Sequence, residues 1–108
     1  MATTVRSLLV LEIAMTSQTE NYTTVRPFDV VDILVQPTAT DAGGTVTVNN
    51  AGVAVSNAMA CAAIGTVART TTVAAATRTI ATGAVAQAAG NQVGTRGIVY
   101  VTVCPNPL

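Results

Sequence analysis

Histidine, lysine and tryptophan are missing from these 108 residues. Without His or Lys, the usual general base, the partner that activates a Ser or Cys nucleophile and the amine of a Schiff base are all gone. The chain is therefore not expected to be an enzyme, to act on a small-molecule substrate or to need a cofactor. Charge is scarce as well, at 9% of residues where a quarter is usual. Arg6, Arg26, Arg69, Arg78 and Arg96 balance Glu12, Glu20, Asp29, Asp32 and Asp41, so the net charge is zero. Scattered Arg with a neutral total and three aromatics offer nucleic acid neither an electrostatic footprint nor a stacking platform. No nucleic-acid partner is expected. Long apolar runs are also lacking: Ala58 to Ile64 falls well short of the roughly 18 to 20 residues that a membrane-spanning helix needs. Two distant cysteines, Cys61 and Cys104, and dispersed carboxylates match neither a tetrahedral zinc pattern nor a calcium loop, so no metal is expected.

What remains is Ala, Thr and Val, each present 17 to 19 times and together half of the chain. Thr and Val are stiff at χ1 and suit a pleated surface. Bulky apolar residues are few: five Leu, five Ile, three Met, two Tyr and one Phe. A single domain over 1–108, with short extended N- and C-terminal arms, can then bury only a modest core. Contact with other subunits is the expected source of further burial. The opening MATTVRSLLVLEIAMTSQ faintly suggests a signal peptide, but Glu12 interrupts its apolar stretch and no small-x-small site follows. It reads as the first structural element of a chain made in a reducing cytoplasm, where Cys61 and Cys104 are expected to be buried free thiols.

Along the chain, Val5 to Met15 places Val5, Leu9, Leu11, Ile13 and Met15 on one strand face, with Arg6 and Glu12 on the other. A helical stripe through Val5, Leu8, Leu9 and Ile13 also fits, and strand is the adopted reading. Thr16 to Arg26 is polar and reads as a loop. Phe28 to Gln36 reads as a strand ended by Pro37. Thr38 to Gly44, with Asp41 as turn former and two glycines, reads as a hairpin turn leading to a strand over Thr45–Asn49. Asn49 to Gly52 is a second turn. Beyond it the Ala-rich Val53 to Ile64 predicts one short helix or helical turn, with Ser56 or Asn57 as N-cap and Gly65 just past the end. Thr66 to Thr82 predicts one or two strands broken near Ala74 to Ala76. Gly97 then introduces Ile98 to Cys104, apolar on both faces and so expected in the middle of a sheet, before Pro105 and Pro107 stop it.

Short strands separated by turns predict an all-β sandwich or barrel. The succession GGTVTVNNAGVAVSNAMACAA, Gly65 to Arg69, ATRTIATGAV and GIVYVTVCP, covering about residues 43 to 104, resembles small virion proteins of tailed bacteriophages, the capsid decoration or cement proteins. The resemblance implies a jelly-roll-like β-sandwich on the capsid exterior. It further implies a homo-oligomer, a trimer being expected, that clamps neighbouring copies of the major capsid protein.

Carboxylates are the one chemistry still open, and Asp29 and Asp32 are the nearest pair. An odd separation sends them to opposite faces of a regular strand, where they serve as surface charge. For contact with a partner, guanidinium groups are the natural polar anchors. Arg6 and Arg26 are the interface candidates, with Pro105 and Pro107 in the arm 105–108, and Met1 to Thr4 forming the other arm. The alternative is an adhesive or carbohydrate-binding β-sandwich on a virion tail or bacterial surface. Tyr22, Phe28 and Tyr100 are dispersed for that role.

Overall fold

The computed structural model describes residues 8–105. Ten β-strands form two antiparallel sheets packed as a sandwich: β1 (Leu9–Ala14), β2 (Thr19–Thr23), β3 (Phe28–Pro37), β4 (Thr45–Asn50), β5 (Val53–Ala54), β6 (Met59–Ala60), β7 (Ala68–Arg69), β8 (Thr79–Ile80), β9 (Val85–Gly90) and β10 (Gly97–Pro105). Sheet A runs β1-β10-β3-β7 with β8 also on β3, and sheet B runs β2-β9-β4-β5 with β6 also on β4. The two inner faces meet in one core of aliphatic side chains, centred on Ile33, Val35, Val46, Val48, Val99 and Val101. Alternation drives this: Val99, Val101 and Val103 of β10 point in, while Ile98, Tyr100, Thr102 and Cys104 point out and stay half-exposed. As expected, β10 lies in mid-sheet, between β1 and β3.

The imperfect alternation of β3 has a cause in its register. Val103 pairs with Val30 but Thr102 pairs with Asp32, so Val31 is an extra residue and the strand bulges there. A bulge shifts the face sequence by one. Phe28 and Val30 point inward before it, Ile33 and Val35 after it, and Asp29 and Asp32 consequently share the outer face. The opposite-face expectation for the two aspartates is thereby corrected.

Four further expectations change. The predicted short helix is absent, and among the described residues there is no helix at all. Ser56 does not cap: its Oγ accepts the buried Val48 N–H at 3.0 Å. Val55 N–H donates to Val48 O at 2.8 Å and Cys61 N–H to Gly44 O at 2.9 Å. The Asn57 side chain accepts from Thr70 Oγ1 at 2.6 Å and from Thr71 N–H at 2.9 Å. These contacts with β4 and the 70–72 loop outweigh the high intrinsic helix propensity of Ala. The supposed loop 16–26 contains β2, a polar edge strand paired with β9. The segment 38–44 is no hairpin, because β3 lies in sheet A and β4 in sheet B; it is a corner that changes sheets. Its turn is closed by Gly44 N–H to Asp41 O at 2.8 Å, and a Cβ on Gly44 would fall 2.7 Å from Cys61 O. Finally, Cys104 is half-buried on the outer face, while Cys61 is fully buried, and both thiols are free.

Candidate interaction surface

Polar side chains inside the sandwich are committed to holding loops. Thr95, fully buried, donates from Oγ1 to Asp41 Oδ2 at 2.7 Å. With its amide nitrogen turned to the acceptors, Gln92 reaches both Asp41 carboxylate oxygens at 2.9 Å. Asp41 thus ties the β3–β4 corner to the β9–β10 turn, in keeping with its reading as a turn former. Its carboxylate, second to burial itself, pushes the neighbouring Cys61 thiol up from its ordinary pKa, and the Cys61 Sγ lies 3.3 Å from Arg96 O. A raised thiol pKa is the reverse of what a nucleophile needs.

The two aspartates on the outer face of sheet A are likewise engaged. Asp29 Oδ1 accepts from Thr79 Oγ1 at 2.6 Å, and Asp32 pairs with Arg69 Nε at 3.1 Å. Beside them the face is mixed: Val10, Ile98, Leu34 and Val31 interleave with Glu12 and with Tyr100, whose hydroxyl lies 3.2 Å from Gln36 Oε1. An open depression of about 360 Å³ lies over the bulge, lined by Leu8, Asp29, Val31, Arg78 and Cys104 among others.

Sheet B presents a different outer surface. Alternation turns Ala86, Ala88, Val46 and Val48 inward and leaves Thr19, Asn21, Thr23, Thr45, Thr47, Asn49, Val85, Gln87 and Ala89 outward. Gln87 bridges its strand neighbours, donating to Asn21 Oδ1 at 3.1 Å and accepting from Asn49 Nδ2 at 3.4 Å. The surface is pleated, small in its side chains and uncharged over β2, β9 and β4.

Of the four proposed interface residues, Arg6 and Pro107 lie outside the described residues, as do Met1 to Thr4. Arg26 is exposed and Pro105 half-buried. The fold brings these two together at a notch of about 160 Å³ at one end of the sandwich, lined also by Leu9, Leu11, Tyr22, Val25, Phe28 and Val103. Composition alone pointed to the arms and the arginines; it missed the outer face of sheet B. The outer face could have been found in the alternation of Thr45-Val46-Thr47-Val48. Among the described residues no group of three or more potential metal ligands occurs, and no helix is long and apolar enough to cross a membrane. No family model, curated protein or solved structure matches the chain.

Proposed function

We propose that this chain is a structural virion protein that binds the outside of a phage capsid and strengthens contacts between capsomers. The observation that carries this reading is the uncharged outer face of sheet B, where Thr, Asn, Gln and Ala stand in register across three strands. Such a face has no charge to bury, so covering it with another protein that satisfies its polar groups avoids the desolvation cost of ions. The strand orders β1-β10-β3-β7 and β2-β9-β4-β5, with the chain passing repeatedly between sheets, support a jelly-roll arrangement, an architecture that capsid proteins use. In this function the chain acts additively: each copy buries several hundred Å² against the major capsid protein and against its own kind, and many weak contacts close the shell by avidity. Arg26 and Pro105 at the end notch supply a contact distinct from the flat face. No catalytic step, cofactor, metal, nucleic acid or membrane enters this role.

Mass spectrometry of purified virions tests the proposal. The chain should be present in a fixed ratio to the shell protein, and its absence from particles whose lysate contains it would overturn the reading.

A further inference from the structure

The two sheets part at one end of the sandwich. The inward-facing residues of β1 show it: Ile13 is 4% exposed, Leu11 half-buried and Leu9 50% exposed. The cover over sheet A thus runs out toward the start of the strand. Beneath the gap Phe28 and Val103 remain buried. On the side of sheet B the gap is bounded by Tyr22 of β2 and by the 24–27 loop, which carries the exposed Val25. The space left between them is the end notch of about 160 Å³.

Size and chemistry narrow what fits there. Aliphatic and aromatic side chains make the walls, so a water molecule inside finds few hydrogen-bond partners and gives way to an apolar group. An apolar cavity of about 150 Å³ holds one benzene ring, and the notch matches that volume. Two rings already border the space, Phe28 and Tyr22. Aromatic pairs attract beyond their area burial, which favours an aryl body over an alkyl chain. Among the described residues that line the notch, Arg26 alone carries a charge. Arg26 is engaged in another interaction as well; its guanidinium has five N–H donors, enough to take a carboxylate besides.

We propose that the notch is a binding site for a small aromatic monocarboxylate. The ring enters between the sheets over Phe28 and Val103, and the carboxylate stays at the mouth against Arg26. Because Arg26 is exposed, the charge remains partly solvated and is not carried into apolar surroundings, where it would be costly. The ring in turn covers Leu9 and Leu11, the two inward-facing side chains that sheet B leaves open. The site stands apart from the capsid reading, which rests on the outer face of sheet B.

Titration of the full chain with phenylacetate, followed by calorimetry and by backbone amide NMR shifts, tests the site. Phenylacetate should bind saturably with a dissociation constant of about 1 mM or tighter, and the largest shifts should fall on Leu9, Leu11, Tyr22 and Val103. Phenylacetamide keeps the ring and loses the charge, so it should bind about tenfold more weakly. Acetate, with no ring, should not bind measurably. Arg26→Gln should weaken phenylacetate about tenfold and leave phenylacetamide unchanged. Leu11→Phe, which puts a ring into the space, should abolish binding of both. The proposal is overturned by any of five results: no saturable binding, shifts clustered away from the notch, equal affinity for phenylacetate and its amide, an Arg26→Gln variant that binds like wild type, or a folded Leu11→Phe variant that still binds. The Arg26→Gln comparison keeps the test decisive should Leu11→Phe fail to fold. A notch that refuses phenylacetate while Leu11→Phe abolishes capsid binding would be the seat of a partner's side chain, which also overturns the proposal.

Discussion

Ala51 adopts φ 50° and Gly52 φ 88° in the two-residue turn between β4 and β5. Both central residues of this turn type need positive φ, which glycine takes freely and alanine does not. Left-handed backbone costs an L-residue about 1–2 kcal/mol, and Asn tolerates it better than Ala. Ala51→Asn should therefore stabilise the fold by about 0.5–1 kcal/mol, read as a melting temperature about 4 °C higher; an unchanged or lower value would contradict the turn geometry. Cys61 gives a prediction in pH. Burial first and the Asp41 carboxylate second raise its thiol pKa, so the folded chain keeps a proton that the unfolded chain releases. The resulting stabilisation is fully present below the ordinary thiol pKa of about 8.5 and is lost as pH rises past it. Thermal melts on the alkaline side should fall more steeply for the wild type than for Cys61→Ala, and equal slopes would refute the assignment. In the native state, alkylation mapped by mass spectrometry should mark the half-exposed Cys104 before the fully buried Cys61.

Strands announced themselves in the sequence where β-branched residues alternate or run together. Ile98 to Cys104 reads directly as a central strand, and Thr45-Val46-Thr47-Val48 as a half-buried one, because period and propensity agree there. Three elements were illegible for three physical reasons. Strand β2 carries Thr, Glu, Asn and Tyr, a loop-like composition that works because an edge strand buries little. Strand β9 turns Ala86, Ala88 and Gly90 inward, residues of low strand propensity chosen by space: a Cβ on Gly90 would stand 2.9 Å from Thr95 Cβ. The segment around Ser56 read as helical because Ala-rich stretches favour helix locally, whereas the hydrogen bonds that hold it extended go to Val48 and Gly44, outside helical spacing. Ser56→Ala probes that last point. It leaves the buried Val48 N–H without its acceptor, so it should destabilise by about 1–3 kcal/mol in denaturant unfolding. A variant as stable as wild type would show that Ser56 does not hold this segment.

At the scale of the whole molecule, the two outer faces differ in a way that composition concealed. Sheet A carries the strand-face charges Glu12, Asp29, Asp32 and Arg69 among apolar residues, and sheet B carries a neutral polar lattice. The bulge at Val31 decides the placement of two of those charges, and no spacing rule exposes it. Of the candidate contact residues, only Arg26 and Pro105 could be placed, and they meet at one notch. The flat uncharged face of sheet B is the feature on which the proposed assembly role rests. The most direct measurement of the proposed role is co-sedimentation of the purified chain with intact tailed-phage capsids from the source of the chain. The chain should pellet saturably, at a stoichiometry that is a whole-number ratio to the shell protein's symmetry positions; a chain left wholly in the supernatant at saturating concentration would contradict the account.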